Sequence, residues 1–163
     1  MLALIIITLG ILSRLVIHTP NFTPVLSLAF LAGIYLESRQ AIWVPLALVV
    51  LSDCILGFYP LMIVTWASIL LISIIGLCLK NHKSLMTVFA GSILSAVLFF
   101  VTTNFASWLS LYPHTMAGFK QCYILAIPFF RSSLASTVAY SIVFYAGYEW
   151  LLKKQHTPQG NLV

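Results

Sequence analysis

Four strongly polar side chains interrupt otherwise apolar segments of the chain: Arg14, Asp53, Asn104 and Arg131. Counted from the ends of their segments, they lie near one depth of a membrane-spanning bundle, and charged groups at such positions face the protein interior and one another. Two arginines against one aspartate leave a positive charge that suits a carboxylate or phosphate group. The pattern predicts a ligand-binding site at this depth.

Each of these residues also has a structural interpretation. Asp53 paired with Arg14 or Arg131 would be a buried ion pair that fixes helix register. Asn104 would then serve an interhelical hydrogen bond. Asn21 lies three residues after His18 in a proline-containing loop, where turn chemistry explains it equally well. His18 itself would contact ligand, titrate, or mark the membrane interface.

Aromatic residues concentrate at the same membrane face. Trp108 and Tyr112 join Phe58 and Tyr59 there, and two interpretations are open: an interfacial belt, or a stacking lid over a flat heterocycle. His114 in the same loop as Tyr112 is a further candidate ligand contact. We therefore include Trp108, Tyr112 and His114 among the predicted ligand-binding residues.

The chain carries no motif for catalysis or for a bound cofactor. It lacks GxSxG, HExxH, a Walker loop and paired catalytic carboxylates, so we expect neither an enzyme nor ATP hydrolysis. An intramembrane enzyme using His18 or His114 as a base near Asp53 ranks last. Cys54 beside Asp53 is a conceivable soft metal ligand, for example to cobalt. A small hydrophobe is the better interpretation of Cys54, and no metal site is predicted.

Composition places the chain in a membrane. Of its 163 residues, 61% are hydrophobic and 7% are charged, against roughly 25% charged in soluble domains. The uncharged run Leu61–Leu79 covers about 28 Å, close to the hydrocarbon thickness of a bilayer. The net charge of +5 is spread over separate segments and forms no nucleic-acid patch. We predict one transmembrane helical domain over residues 1–152 and a disordered tail over 153–163.

The predicted fold is all-α, an integral membrane bundle of six transmembrane helices. Its segments are bounded by prolines, glycines and polar breaks; they are Leu2–Ile17, Val25–Leu36, Ala41–Leu56, Leu61–Leu79, Leu85–Thr103 and Tyr123–Leu152. Whether the short second segment fully spans is left open. Small residues four apart predict closely packed helix faces at Ala29/Gly33, Gly91/Ser95 and Ala135/Ala139.

Basic residues predict the orientation. Six crossings put both termini on one side of the membrane. Five basic residues lie on that side: Arg39, Lys80, Lys83, Lys153 and Lys154. The opposite loops hold only Lys120, so the positive-inside rule puts both termini in the cytoplasm. The loops His18–Pro24, Gly57–Pro60 and Ser107–Cys122 then face outward and cover the polar residues.

Two strings, Pro20-Asn21-Phe22-Thr23-Pro24 and Ile127-Pro128-Phe129-Phe130-Arg131, carry a resemblance to a bacterial membrane family of unknown function. The resemblance extends from residue 13 to about 148. That family is similar in size, six-helix layout and outward loops to the substrate-binding S components of energy-coupling factor (ECF) transporters. The resemblance implies a vitamin-like micronutrient bound near the outer face of the bacterial inner membrane, with release inside after a tilt of the subunit.

S components dock a transmembrane coupling subunit, which works with ATPases, through an Ala-x-x-x-Ala face on the first helix. This chain reads Leu2-Ala3-Leu4-Ile5-Ile6-Ile7 there and lacks that face. Docking would use another surface, or the protein would work alone as some solitary S components do, cobalamin carriers included. We predict uptake of a small micronutrient; the alternative is a structural or morphogenetic membrane subunit without a small-molecule ligand.

Overall fold

The computed structural model describes residues 2–16 and 21–156, and all regular structure in these ranges is α-helical. Six helices follow one another: α1 (Leu2–Val16), α2 (Val25–Tyr35), α3 (Ser38–Leu56), α4 (Met62–Leu79), α5 (Leu85–Leu111) and α6 (Met116–His156). The predicted all-α class with six helices is confirmed. Helices α3 to α6 are long and apolar enough to cross a membrane, whereas α1 and α2 are shorter apolar helices.

Helix α2 forms the centre of the bundle. All of its residues from Val25 to Ile34 are buried, and only Tyr35 at its end is partly accessible. It packs against α1, α3, α4, α5 and α6. A helix that is apolar on every side belongs inside a protein or a membrane, and α2 is surrounded by protein, so its 11 residues need not match the bilayer thickness.

Glycines allow the closest helix approaches. A Cβ atom on Gly33 of α2 would overlap the carbonyl oxygen of Ser73 in α4, and one on Gly76 would overlap that of Phe30. On α5, Gly91 lies against the ring of Phe30. Close packing predicted at Gly33 and Gly91 is therefore confirmed.

The predicted close packing at Ala135/Ala139 is wrong, because both alanines are exposed on the surface of α6. Four-residue spacing of small residues marks a face where a helix can approach, but it does not say that one does.

The connection between α5 and α6 is shorter than the sequence predicted. Helix α5 continues to Leu111 and α6 begins at Met116, so the predicted outward loop Ser107–Cys122 is wrong and only residues 112–115 connect the helices. The N–H of Gly118 donates to the hydroxyl of Thr115 at 3.1 Å, which holds the first turn of α6. A Cβ atom at Gly118 would overlap the carbonyl oxygen of Pro113, so the absence of a side chain allows this close approach.

At its other end α6 extends through residues 153–156, which the sequence assigned to the tail. Residues 157–163 lie outside the described part of the chain. The bundle thus has a basic end, which holds the α2–α3 and α4–α5 connections and the end of α6. We call the other end, with residues 21–24, 57–61 and 112–115, the opposite end.

Candidate functional site

Asp53 lies at the centre of a buried polar cluster near the opposite end. Its side chain is 0% exposed, and Oδ1 lies 2.7 Å from Nη2 of Arg14, which is 18% exposed. The indole Nε1 of Trp66 donates to Oδ2 at 2.7 Å. Arg14 Nη1 also donates to the hydroxyl of Ser52. Oδ1 therefore forms an ion pair and Oδ2 accepts a hydrogen bond, and the cluster connects α1, α3 and α4.

The structure pairs Asp53 with Arg14, one of the two predicted partners. Arg131 instead lies on the exposed surface of α6, and within the described residues it forms no ion pair. The two charges of the pair cancel, so the cluster offers no surplus positive charge to a ligand. The predicted convergence of both arginines on one anionic group is not what the structure shows.

A cavity of about 280 Å³ opens near the same end, in a different part of the bundle. Helices α4 and α6 both pack against α5 but, over their described residues, not against each other. The space between them forms the cavity, and the connections before α2 and α4 contribute to its wall. The lining consists of Asn21, Tyr59, Pro60, Leu61, Thr65, Phe99, Phe100, Thr103, Asn104, Ser107, Ala126, Phe129, Phe130 and Ser133.

The polar groups of this cavity are neutral and rich in acceptors. Thr103 donates its hydroxyl proton to the carbonyl of Phe99 at 2.7 Å, and Ser107 donates to that of Thr103 at 2.9 Å. A hydroxyl whose proton is committed can offer only lone pairs to a ligand. Asn104 donates one amide N–H to the carbonyl of Phe100 at 2.7 Å; its carbonyl oxygen is a further acceptor.

Aromatic rings supply the rest of the cavity wall. The rings of Phe100 and Phe130 lie 4.6 Å apart, centroid to centroid, at an interplanar angle of 38°. Phe99, Phe129 and Tyr59 line the cavity as well. Among the described lining residues none is charged. The cavity can hold a small, uncharged, flat molecule that donates hydrogen bonds, whereas an isolated anionic group would find no charge partner.

The structure brings two predicted ligand-binding residues, Asn21 and Asn104, to this cavity. Asn21 adopts a left-handed backbone conformation, with φ 57°, at the start of the connection to α2. Arg14 and Asp53 lie in the separate ion-pair cluster. His18 lies outside the described residues.

The remaining predicted residues, Trp108, Tyr112 and His114, belong to the α5–α6 hairpin and do not line the cavity. Trp108 Nε1 donates to the carbonyl of Pro113 at 3.1 Å, and its ring meets that of Phe119 at 5.3 Å. Nε2 of His114 lies 2.8 Å from the carbonyl oxygen of Leu109. These contacts close the tip of the hairpin.

A series of ring contacts nevertheless connects the hairpin to the cavity. The series passes from Trp108 to Phe119 and then to Tyr123. The ring centroids of Phe119 and Tyr123 are 4.6 Å apart. Tyr123 then meets Phe100 of the cavity wall edge-on at 5.5 Å. The hairpin tip and the cavity wall are therefore joined by an unbroken series of ring contacts.

Several residues of these sites carried little signal in the sequence. Thr65, Ser107 and Ser133 are hydroxyl residues in apolar helices, where such residues commonly bond their own backbone. Phe100 and Phe130 are indistinguishable by type from lipid-facing phenylalanines. Only the separation of α4 from α6 reveals them, and that is a property of the packing.

Metal binding finds no support in the geometry. Among the described residues there is no group of three or more His, Cys, Asp or Glu side chains that would hold an ion. Cys54 is exposed on α3.

Comparison with known proteins identifies the family of the chain. A model described as a family of unknown function (DUF6580) matches residues 1–159. No curated protein matches the chain, and no solved structure does.

Proposed function

The chain belongs to this family of unknown function, and we propose that it is a membrane subunit that binds a small, vitamin-like micronutrient for uptake. The observation that carries the proposal is the cavity between α4 and α6, which combines neutral acceptors with aromatic walls at one end of the bundle. Ligand pockets combine apolar walls with a few convergent polar groups in this way. The resemblance to ECF S components supports a role in transport.

The residues that line the cavity limit the chemistry of the ligand. With no charge among the described lining residues, a ligand bearing a full charge would lose its hydration without compensation. A flat, neutral heterocycle with N–H or O–H donors would stack on Phe100 and Phe130 and donate to Thr103, Ser107 and Asn104. The Arg14–Asp53 pair holds the adjoining helices together and does not contact this ligand.

We also propose the membrane in which the protein works and its orientation there. The protein resides in the bacterial inner membrane with both termini in the cytoplasm, so that the cavity faces outward and captures solute from outside. It delivers the solute either with an ECF coupling subunit and its ATPases or alone. Supporting this orientation, Arg39, Lys80 and Lys83 all lie at the basic end.

Mass spectrometry tests the proposal directly. The protein is purified in mild detergent and denatured, and the released small molecules are identified and quantified. We expect one organic ligand at near-stoichiometric amount, uncharged at neutral pH. Membrane proteins copurifying in fixed ratio without any small molecule would instead favour a structural or morphogenetic subunit.

The variant Asn104→Leu tests, in the same experiment, whether the retained ligand lies in this cavity. The substitution keeps the side-chain size but removes the amide, and leaving a buried ligand donor unpaired costs about 1–3 kcal/mol. We expect the retained ligand to fall at least tenfold. Gln121→Leu on the exposed surface of α6 is the matched control and should retain the wild-type amount. Equal retention in both variants would place the ligand elsewhere.

A further inference from the structure

A second hollow, the lateral groove, lies toward the basic end between α1 and α6. Its volume is about 650 Å³, and its lining is almost entirely apolar. Leu2 and Leu9 belong to one wall, Val143 and Leu152 to the other, and Leu31 to the floor on α2. The groove shares no lining residue with the cavity at the opposite end.

The groove exists because two helices share a floor without meeting. Helices α1 and α6 each pack against α2, but over their described residues they do not pack against each other. Gly147 of α6 deepens the gap, since a Cβ atom built there would find no other atom within 4 Å. The gap between α1 and α6 is therefore open above α2, although the α2 side chains beneath it, Leu28 and Leu31, are themselves buried.

The length of the groove selects its occupant. From Val143 to Leu152 the wall of α6 runs about 14 Å, close to half of a hydrocarbon core of about 30 Å. A partner helix that spans the membrane would continue through both halves. An acyl chain from one leaflet extends over about this length.

The end of the groove is basic. Tyr35 lines it and donates its hydroxyl to Glu149 at 2.7 Å, which leaves the carboxylate engaged with the protein. Nζ of Lys83 lies 4.9 Å from the centroid of the Tyr35 ring. The ammonium of Lys80 donates to the carbonyl of Leu36 at 2.7 Å nearby. The ammonium groups of Lys80 and Lys83 outnumber the one carboxylate of Glu149 around Tyr35 and Leu36. The surplus positive charge favours an anionic headgroup, which phospholipids of the cytoplasmic leaflet supply.

We propose that the lateral groove is a binding site for one anionic phospholipid, with an acyl chain between α1 and α6 and its phosphate beside Lys83. The acyl chain fills the gap between α1 and α6. The net negative charge of the headgroup is attracted to the ammonium groups, whereas in a zwitterionic phospholipid the cation of the headgroup offsets its phosphate. This site is independent of any solute bound at the opposite end.

Gly147→Phe tests the acyl-chain half of the proposal. The new ring would fill empty space, so the fold should be unaffected while the groove is blocked. Protein purified from nanodiscs of equal parts phosphatidylglycerol and phosphatidylcholine is examined by native mass spectrometry. We expect wild-type protein to retain one phosphatidylglycerol and Gly147→Phe to retain at least tenfold less. Ala146→Phe, on the neighbouring exposed position, should behave as wild type.

Lys83→Gln tests the headgroup half in the same nanodiscs. We expect the preference for phosphatidylglycerol over phosphatidylcholine to fall several-fold, while Lys120→Gln at the opposite end leaves it unchanged. Three results would overturn the proposal: undiminished lipid in a folded Gly147→Phe protein, equal retention of both lipids by wild type, or a dimer that Gly147→Phe dissociates. A missing solute at the opposite end would leave these readouts intact.

Discussion

At the scale of single residues, the Arg14–Asp53 pair shows how a membrane protein keeps charges in an apolar bundle. An aspartate at the centre of a membrane helix costs about 2.5–3.5 kcal/mol on insertion scales. Here Arg14 neutralises the carboxylate at 2.7 Å and the Trp66 indole occupies the second oxygen. Removing either charge leaves the other buried without compensation, and we therefore assign the pair a role in holding α1, α3 and α4 together.

A double-mutant cycle on the pair measures this role. Asp53→Leu and Arg14→Met should each lower the free energy of unfolding by about 3–5 kcal/mol, because each strands a buried charge. The double variant should lose clearly less than the sum. Unfolding in detergent is followed by helix content, and Arg131→Gln, which changes an exposed arginine, should stay within about 0.5 kcal/mol of wild type. Additive losses would show that the two charges do not interact.

The strongly polar residues of the two sites could be predicted from the sequence, but their division between the ion-pair cluster and the cavity could not. A carboxylate and an arginine in separate apolar segments demand partners, so residue type and depth predict that Asp53 pairs with Arg14 or Arg131, but not with which of the two. The assignment of Asn21 and Asn104 to one cavity rests on which helices leave a gap. Arg131 has the same residue type and depth as Arg14, and only its position around α6 separates it from Asp53; depth along a helix does not fix that angle.

At the scale of elements, the central position of α2 depends on close contact with α4. Gly33 and Gly76 meet where the two helices cross, and neither has room for a side chain. Small residues let helix backbones approach and gain packing contacts that lipid cannot replace. The crossing fixes α4, and with it one wall of the cavity.

Gly76→Ala should therefore destabilise the bundle. The added methyl group would overlap the backbone of Phe30, and overpacking of this kind costs about 1–3 kcal/mol. The melting temperature in detergent should fall accordingly. Gly147→Ala is the matched control, because the same methyl group there meets nothing within 4 Å and should leave stability unchanged or slightly raised. Equal behaviour of the two variants would contradict a tight α2–α4 crossing.

The number and order of helices could be predicted from apolar runs and proline- or glycine-rich breaks, but some helix ends could not. Residues 107–122 contain Pro113 and Gly118, which favour a loop, yet α5 and α6 run into this region from both sides. Ring contacts of Trp108 with Phe119 stabilise the two extensions against each other. Such support between helices is absent from single-segment propensities.

At the scale of the whole molecule, α6 borders both hollows. Its residues from Ala126 to Ser133 line the cavity at the opposite end, and those from Val143 to Leu152 line the lateral groove. Each hollow arises where α6 and another helix share a neighbour without touching. The two sites thus differ in chemistry, one neutral and hydrogen-bonding, the other apolar with a basic mouth, while one helix connects them.

The biological meaning of both hollows depends on which end faces the cytoplasm, and single cysteines can establish it. In a background with Cys54, Cys78 and Cys122 replaced by alanine, His114→Cys and His82→Cys place one thiol at each end of the bundle, both at exposed positions. A membrane-impermeant maleimide should label only His114→Cys in intact cells, and both variants after permeabilisation, because basic connections stay in the cytoplasm. The reverse pattern would turn the cavity inward, so that solute capture from outside would be excluded and the basic mouth of the groove would face the outer leaflet.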